Sequence, residues 1–373
     1  METKVIKLNV NDIDASAIQE AAAVIDAGGL VAFPTETVYG IACRVSKDSL
    51  AKLGNLKGRP ADKYYTLHIA NPADAMKYVP SIGLRAKKLI RNAWPGPLTI
   101  AFELDVKDIA RQKGKLPAEV FENLYRDGSI GIRCPDDKIA SMLLSQTAFP
   151  VVVPSANISG QPPAVEAAGI ARQFEGQLDM VLDGGRCKYA KSSTVVRISE
   201  KGLEILRQGV YSESQLLQMS EVTVLFVCTG NSCRSPMAEG LFRKHLAEKL
   251  GCPIDRLVEK GYTIISAGTL GIVGAPASDE AVDACAAKQV DISGHRSRAL
   301  TLHLIEQSDL IFAMTRGHRE AVLDMCPEAA DKCLLLDDGA DIPDPIGQSQ
   351  AVYDNCAERI DKAIMKRMDE MIL

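Results

Sequence analysis

The sequence predicts an α/β protein made of two folding units, and three observations support this prediction. At 373 residues the chain is long for one compact domain and long enough for two, each with its own hydrophobic core. The continuous apolar run VTVLFVC at 222–228 precedes a turn and a helical pattern, as in parallel-sheet α/β domains. The polar stretch YSESQLLQMSE at 211–221 reads as a junction. We therefore predict domains at 1–212 and 222–373.

Composition restricts the classes of protein that the chain can belong to. Hydrophobic residues make up 46% and charged residues 24%, and no apolar run approaches the length of a membrane span. The polar start METKVIKLNVND is unlike a secretory signal, and ten cysteines without clustered spacing are typical of reduced thiols. We therefore expect a cytoplasmic protein that does not engage a membrane. Without a C-x-x-C pair or spaced histidines, we expect no metal site.

The two predicted domains differ in charge. Residues 1–212 hold 27 Lys and Arg against 23 Asp and Glu, whereas residues 213–373 hold 16 against 25. The excess of four positive charges in the first domain suits an anionic substrate. It is too small to indicate nucleic-acid binding by charge alone.

The segment VLFVCTGNSCRSPMAEG at 224–240 carries the clearest chemistry in the second domain. A strand, a tight loop and a helix in this order direct backbone N–H groups and the positive end of a helix dipole at one point, where a phosphate can bind. We expect Ser235 to cap the helix and Pro236 to be its first residue. The same field is expected to lower the pKa of Cys228, while Arg234 can hold two phosphoryl oxygens.

Residues 222–373 resemble the low-molecular-weight protein tyrosine phosphatase family. Beyond the loop, SAGT at 266–269, HRSRAL at 295–300, SDLIFAMT at 308–315 and IPDPIG at 342–347 follow in that family's order. The resemblance implies a doubly wound parallel sheet and a reaction without a cofactor. It implies four catalytic roles: Cys228 as the nucleophile that forms a cysteinyl-phosphate, Arg234 as the phosphoryl ligand, Ser235 as the thiolate's partner and Asp344 as the general acid.

Two positions bear on the phosphoprotein substrate. Ser232 is small and hydroxylated, as in the protein arginine phosphatase branch, and Ile346 stands where phosphotyrosine enzymes have an aromatic residue. We therefore expect phosphoarginine to be favoured over phosphotyrosine. Cys233 is a possible redox partner for Cys228. A phosphate-binding, redox-sensing or arsenate-reductase-like domain is the alternative, the last kept open by cysteines 285, 326 and 333.

In the first domain, hydroxyl groups and cations follow a series of predicted strands. They lie in GGLVAFPTETVYGIA, LKGRPADKYYTLHIA, SIGIRCP, VVVPSANISG, KSSTVVRI and EILRQG. Such groups at strand ends suit an ATP triphosphate and a small polar co-substrate. Since neither a Walker loop nor G-x-G-x-x-G is present, a P-loop or Rossmann nucleotide site is excluded.

About residues 10–210 resemble the threonylcarbamoyl-AMP synthase (YrdC-like) family through PTETVYG, KGRP, WPGPLT, PSANISG and STVV. The resemblance implies a twisted mixed sheet with a large concave groove. It implies that L-threonine, bicarbonate and ATP, with Mg²⁺ on the phosphates, yield threonylcarbamoyl-adenylate and pyrophosphate for tRNA threonylcarbamoyladenosine synthesis, beside other proteins of that pathway. It assigns threonine to Thr35, His68, Arg133, Ser155 and Ser193. It assigns ATP to Lys57, Arg59, Lys63, Ser129, Asn157 and Arg207.

The first domain departs from this family at two places. Lys63-Tyr64-Tyr65 stands where Asn-Pro-Leu is common, and Val165 replaces a usual hydroxyl residue. A non-catalytic RNA-binding or nucleotide-binding module is the alternative function for this domain. Pyrophosphate release that requires both threonine and bicarbonate distinguishes the two.

Overall fold

The computed structural model describes residues 2–60, 63–199 and 202–370. These residues form two compact units that divide between Met219 and Ser220, except that Gly83–Arg85 and Gly202 are grouped with the second. The predicted junction at 211–221 contains a helix, Glu213–Ser220. Among the described residues, no helix combines the length and apolar character that crossing a membrane requires.

The first unit is built on a mixed sheet, as predicted. Strand Thr66–His68 pairs in parallel with Ser129–Arg133, whereas Val31–Phe33 and Gly40–Arg44 pair antiparallel. In the described residues the strand order is β1-β8-β2-β3-β7-β4-β6-β5-β9-β10. The strands are β1 Lys4–Lys7, β2 Val31–Phe33, β3 Gly40–Arg44, β4 Thr66–His68, β5 Leu98–Glu103, β6 Ser129–Arg133, β7 Val151–Val152, β8 Met180–Asp183, β9 Thr194–Ser199 and β10 Gly202–Arg207.

Helices cover both faces of this sheet, so alternate side chains of one strand enter different hydrophobic cores. Val31 and Phe33 pack with the helices at Ala15–Asp26 and Lys138–Gln146, whereas Ala32 between them enters the larger core. The helices are α1 Ala15–Asp26, α2 Lys47–Lys57, α3 Leu84–Ala93, α4 Val106–Lys115, α5 Ala118–Leu124, α6 Lys138–Gln146, α7 Ala167–Gln173 and α8 Glu213–Ser220, with a 3₁₀ turn at Pro72–Lys77.

The second unit is a parallel sheet with helices on both faces, which confirms the predicted fold class. Its strands are β11 Val222–Cys228, β12 Tyr262–Gly268, β13 Leu310–Ala313 and β14 Cys333–Leu335, in the order β12-β11-β13-β14. Its helices are α9 Arg234–Leu250, α10 Asp279–Ala286, α11 Leu302–Gln307, α12 Arg316–Met325 and α13 Gln350–Glu370, with 3₁₀ turns at Ile254–Arg256 and Pro327–Ala329.

Burial of strand β11 on both faces explains why its sequence is almost continuously apolar. Val224 and Phe226 face the core formed with α9, α10 and α13, and Leu225 and Val227 face the core formed with α11 and α12. A central parallel strand buries both faces, so its side chains show no polar alternation. The strand delivers Cys228 to the carboxyl edge of the sheet, where parallel α/β folds place their sites.

Candidate active sites

The loop between β11 and α9 is held by the buried side chain of Asn231. This residue adopts a left-handed backbone conformation (φ 54°), which asparagine tolerates better than most residues. Its amide nitrogen donates to the hydroxyls of Ser235 (2.9 Å) and Ser266 (2.8 Å), and its amide oxygen accepts from the backbone N–H of Arg298 (2.7 Å). Sequence reasoning missed Asn231 and Ser266, although SAGT was recognised as a motif. Asn231 and Ser266 contact each other although they lie 35 residues apart in the chain.

Cys228 lies at the floor of this loop, with its sulfur buried. Its Sγ is 2.9 Å from Ser235 Oγ and 3.3 Å from the Asn231 backbone N–H, which donates to it. Because Ser235 Oγ already accepts from Asn231, its own proton is available for the sulfur. Burial raises the pKa of Cys228, whereas the hydrogen bonds from Ser235 and Asn231 and the charge of Arg234 lower it. The net direction is upward, so the predicted lowering is wrong: the stabilising contacts exist, but burial outweighs them.

Ser235 does not cap helix α9, contrary to the prediction. The helix begins at Arg234 with Cys233 in the cap position, which makes Pro236 its third residue and not its first. The hydroxyl of Ser235 contacts the Cys228 sulfur instead of a backbone N–H of the first turn. The expected cap pattern was therefore displaced by a tertiary contact.

Arg234 and Asp344 meet beside Cys228. The guanidinium is buried and donates to the carbonyl of Ile342 (3.0 Å), the hydroxyl of Thr229 (3.3 Å) and the carboxylate of Asp344. Its Nε is buried and has no partner among the described residues. The Asp344 carboxylate is 40% exposed. The structure thus places an arginine and a solvent-accessible carboxylate at the loop, as phosphoryl transfer to a cysteine requires.

His318 is a neighbour of the loop that sequence reasoning missed. Its Nε2 is 2.8 Å from Thr229 Oγ1, and its Nδ1 is 2.9 Å from Thr315 Oγ1. Burial and the charge of Arg234 lower its pKa to about 4, so the ring is neutral at neutral pH. His318 therefore positions Thr229, which in turn contacts Arg234.

The remaining positions predicted in this domain have distinct surroundings. Ser232 is half-buried in the loop, and Ile346 is 64% exposed. Cys233 is buried, and its sulfur lies 3.4 Å from Tyr353 Oη and 3.5 Å from Ser278 Oγ. Its redox role stays a prediction.

In the first unit, strand ends and loops enclose a cavity of about 210 Å³. Strands β4 and β6 are parallel neighbours in which His68 is paired with Arg133, so both side chains arrive at one edge. The cavity is lined by seven of the predicted residues, namely Thr35, Arg59, His68, Arg133, Ser155, Ser193 and Arg207. Three cations and several hydroxyls from six separate segments therefore meet at one place.

Arg133 is the most deeply buried cation of this cavity. It donates to Glu36 Oε1 (2.8 Å) and Thr37 Oγ1 (2.7 Å), and all three side chains are buried. Glu36 Oε2 and Arg133 Nε have no partner among the described residues. Burial and the charge of Arg133 lower the pKa of His68 to about 3. His68 is therefore a neutral hydrogen-bonding group.

The other two arginines are held by local contacts. Arg207 donates to the carbonyl (2.9 Å) and the hydroxyl (3.1 Å) of Ser193. Arg59 lies 4.7 Å over the ring of Tyr65 and donates to the carbonyl of Tyr64. The departure from the family pattern at position 65 thus supplies an aromatic ring for Arg59, and Tyr64 lines the cavity.

Four residues predicted to contact ATP do not line the cavity. Lys57 is buried and donates to the carbonyls of Ser155 and Asn157, the latter at 2.5 Å. Asn157 Oδ1 accepts from Ser155 Oγ (2.6 Å), so both residues brace the same loop. Burial and the charge of Arg59 lower the pKa of Lys57 to about 8. Lys63 is exposed, and Ser129 Oγ donates to a backbone carbonyl.

Comparison with known proteins agrees with both resemblances. Residues 23–209 match the Sua5/YciO/YrdC family model, described as telomere recombination, and residues 223–372 match the low molecular weight phosphotyrosine protein phosphatase model. The chain is 32% identical to the threonylcarbamoyl-AMP synthase of Pyrococcus abyssi, over 65% of this chain and 69% of that protein.

One further relative matches the second domain, and one solved structure matches most of the chain. The low molecular weight protein-tyrosine-phosphatase Etp of Escherichia coli K12 is 34% identical over 40% of this chain and 93% of its own length. The crystal structure of P. abyssi Sua5 complexed with L-threonine matches 97% of this chain and 98% of that one, with a TM-score of 0.52 and 21% identity. The latter is a likeness of fold.

Proposed function

The chain belongs to the Sua5/YciO/YrdC family and to the low-molecular-weight phosphotyrosine phosphatase family, and on this premise we propose that it is a bifunctional enzyme. The first domain makes threonylcarbamoyl-adenylate for tRNA modification, together with other proteins of that pathway. The second removes phosphoryl groups from proteins through a cysteinyl-phosphate. The ten free thiols of the whole chain support a reducing compartment such as the cytoplasm.

The observation that carries the synthase proposal is the meeting of Arg59, Arg133 and Arg207 at one small cavity. The amine of threonine attacks bicarbonate, water leaves, and a carbamate oxygen attacks the α-phosphorus of ATP to release pyrophosphate. Bicarbonate, the carbamate, ATP and pyrophosphate are all anionic, so the arginines stabilise charge and orientation while no covalent intermediate with the protein is needed. The neutral His68 and the hydroxyls of Thr35 and Ser193 then serve threonine as hydrogen-bonding partners.

ATP enters this proposal as its Mg²⁺ complex. Within the described part of the chain, no three acidic, histidine or cysteine side chains are grouped to hold a metal ion. We therefore propose that the phosphates themselves carry the Mg²⁺. The protein contributes the guanidinium groups around them.

Pyrophosphate release by the full chain tests the synthase. We expect release from ATP only when threonine and bicarbonate are both present. Arg133→Met should abolish it, whereas Arg197→Met, at an exposed arginine of β9 paired with Glu204, should not. ATP binding without pyrophosphate release would reject the synthase and favour a nucleotide-binding module.

The observation that carries the phosphatase proposal is the contact of Ser235 Oγ with Cys228 Sγ beside Arg234. The thiolate attacks phosphorus, Arg234 holds the phosphoryl oxygens, and the bond to the leaving group breaks as Asp344 donates a proton to it. Asp344 then takes a proton from the water that hydrolyses the cysteinyl-phosphate. The present pairing of Asp344 with Arg234 must give way to the substrate's phosphoryl group.

Phosphoarginine is the substrate that we propose for this domain. The exposed aliphatic side chain of Ile346 offers no ring to stack against phosphotyrosine, and Ser232 is a small loop residue. Purified protein should hydrolyse phosphoarginine faster than phosphotyrosine, and Cys228→Ser should hydrolyse neither. Faster phosphotyrosine turnover would reverse the specificity. Hydrolysis of neither by the wild-type chain would leave a phosphate-binding or redox-sensing domain.

A further inference from the structure

The second unit contains another cavity, of about 480 Å³, that the proposed reactions do not use. It lies between helix α9 and the segment 291–298. Its wall includes Glu239, Arg243, Ser266, Ile292, Arg296 and Arg298. Its volume exceeds that of a single phosphate and suits a small phosphate ester as well.

The wall of this cavity is rich in arginine, and its two carboxylates already have donors. Glu239 Oε2 accepts from Ser266 Oγ (2.7 Å), and its Oε1 lies 3.8 Å from Arg243. Asp291 accepts from a backbone N–H (2.8 Å). Three arginines and two carboxylates therefore line the cavity, so the net charge of these side chains is positive.

Arg298 is the cation with the least protein contact. Its backbone N–H donates to Asn231 Oδ1, but its guanidinium makes no hydrogen bond or ion pair with any described residue. Arg296 donates instead to backbone carbonyls, at 2.6 Å from the carbonyl of His295. A planar group with five donors and no acceptor is suited to an oxyanion.

The cavity also lies directly behind the catalytic loop. Ser266 and His295 line it, and both contact Asn231: Ser266 Oγ accepts from its amide, and His295 Nε2 is 2.8 Å from its carbonyl. A carbonyl only accepts, so His295 Nε2 carries a proton. The same wall thus supports the catalytic loop on one side and encloses the cavity on the other.

We propose that this cavity is a second oxyanion site, which binds inorganic phosphate or the phosphate group of a small ester through Arg243 and Arg298. It is separate from the site at Cys228 and Arg234, and the proposal does not depend on whether the domain is an active phosphatase. The bound phosphate would pair with the guanidinium of Arg298 and share Arg243 with Glu239.

Methyl NMR of the full chain, with labelled isoleucine, tests this proposal locally. Ile292 lines the cavity, and Ile346, whose backbone N–H donates to Asp344, reports on the catalytic site. We expect titration with inorganic phosphate, at ionic strength held constant with chloride, to shift the Ile292 signal saturably. Arg298→Glu and Arg298→Gln should abolish that shift while the Ile346 shift remains.

A matched variant controls for the change of charge. Arg256→Glu alters an exposed arginine paired with Glu259 outside the cavity, and it should leave the Ile292 shift unchanged. A second titration with AMP distinguishes the sources of phosphate. Saturation of the Ile292 shift at a lower concentration of AMP than of phosphate assigns the site to an ester. Saturation at a higher concentration of AMP assigns it to free phosphate. An Ile292 signal that never saturates with either probe, or that saturates equally in Arg298→Glu, would overturn the proposal.

Discussion

The hydrogen bond from Ser235 to Cys228 gives a direct prediction about the reactivity of the thiol. Replacing Ser235 by alanine removes the 2.9 Å contact to the sulfur but leaves burial, which raises the pKa of Cys228, in place. A hydrogen bond to a charged group contributes about 1.5–3 kcal/mol. One pKa unit corresponds to about 1.4 kcal/mol. Ser235→Ala should therefore raise the pKa of Cys228 further and reduce the fraction of thiolate at neutral pH.

The pH dependence of alkylation measures this shift. Cys228 is modified with iodoacetamide across a pH series and quantified by mass spectrometry, which separates it from Cys233 in the same tryptic peptide. Because only the thiolate reacts, the midpoint should move to higher pH, and the rate at neutral pH should fall about 10-fold to 100-fold.

Ser266→Ala is the matched control for this experiment. It removes the other hydroxyl that accepts from the Asn231 amide without touching the sulfur, so the alkylation midpoint should stay near that of the wild type. An unchanged midpoint in Ser235→Ala, or an equal shift in Ser266→Ala, would refute the reasoning that Ser235 acts on the sulfur directly.

Three further predictions concern buried polar groups. Glu36→Leu leaves Arg133 buried without its charged partner and should lower the free energy of unfolding by about 3–5 kcal/mol, measured by urea denaturation. A free energy of unfolding within about 1 kcal/mol of that of the wild type would contradict the burial of this pair. Lys57→Met frees two buried carbonyls and should cost about 1–3 kcal/mol, whereas Lys63→Met at an exposed lysine should be nearly neutral in the same measurement. Since burial lowers the pKa of His318 to about 4 in the folded state, the unfolded chain takes up more protons between about pH 6.5 and 4. The free energy of unfolding should therefore fall as pH falls through this window, by about 1–3 kcal/mol from this group. His318→Asn should make this decrease smaller, and a pH profile identical to that of the wild type would count against the prediction.

The sequence was most informative where local pattern and tertiary role coincide. The run VTVLFVC predicted a strand buried on both faces, and β11 is that strand. The hydroxyls and cations at strand ends predicted a shared site, and His68 and Arg133 meet because their strands are parallel neighbours in register. In both cases the periodicity of a strand determines where the side chain points.

Other features could not be predicted because their partners lie far away in the chain. Asn231 is bound to groups 35 and 67 residues later, and His318 contacts a threonine 89 residues earlier. Ser235 matched a helix-capping pattern, yet a contact with Cys228 displaced that role. Lys57 was expected near phosphates, but the loop it supports is visible only once the fold is known.

The most direct test of the bifunctional proposal is a reciprocal assay of both activities on the same preparations. Pyrophosphate release and phosphoarginine hydrolysis are measured for the wild-type chain, Cys228→Ser and Arg133→Met. We expect Cys228→Ser to lose only phosphoarginine hydrolysis and Arg133→Met to lose only pyrophosphate release. Phosphoarginine hydrolysis that survives in Cys228→Ser, or pyrophosphate release that survives in Arg133→Met, would contradict two separate active sites built on these residues.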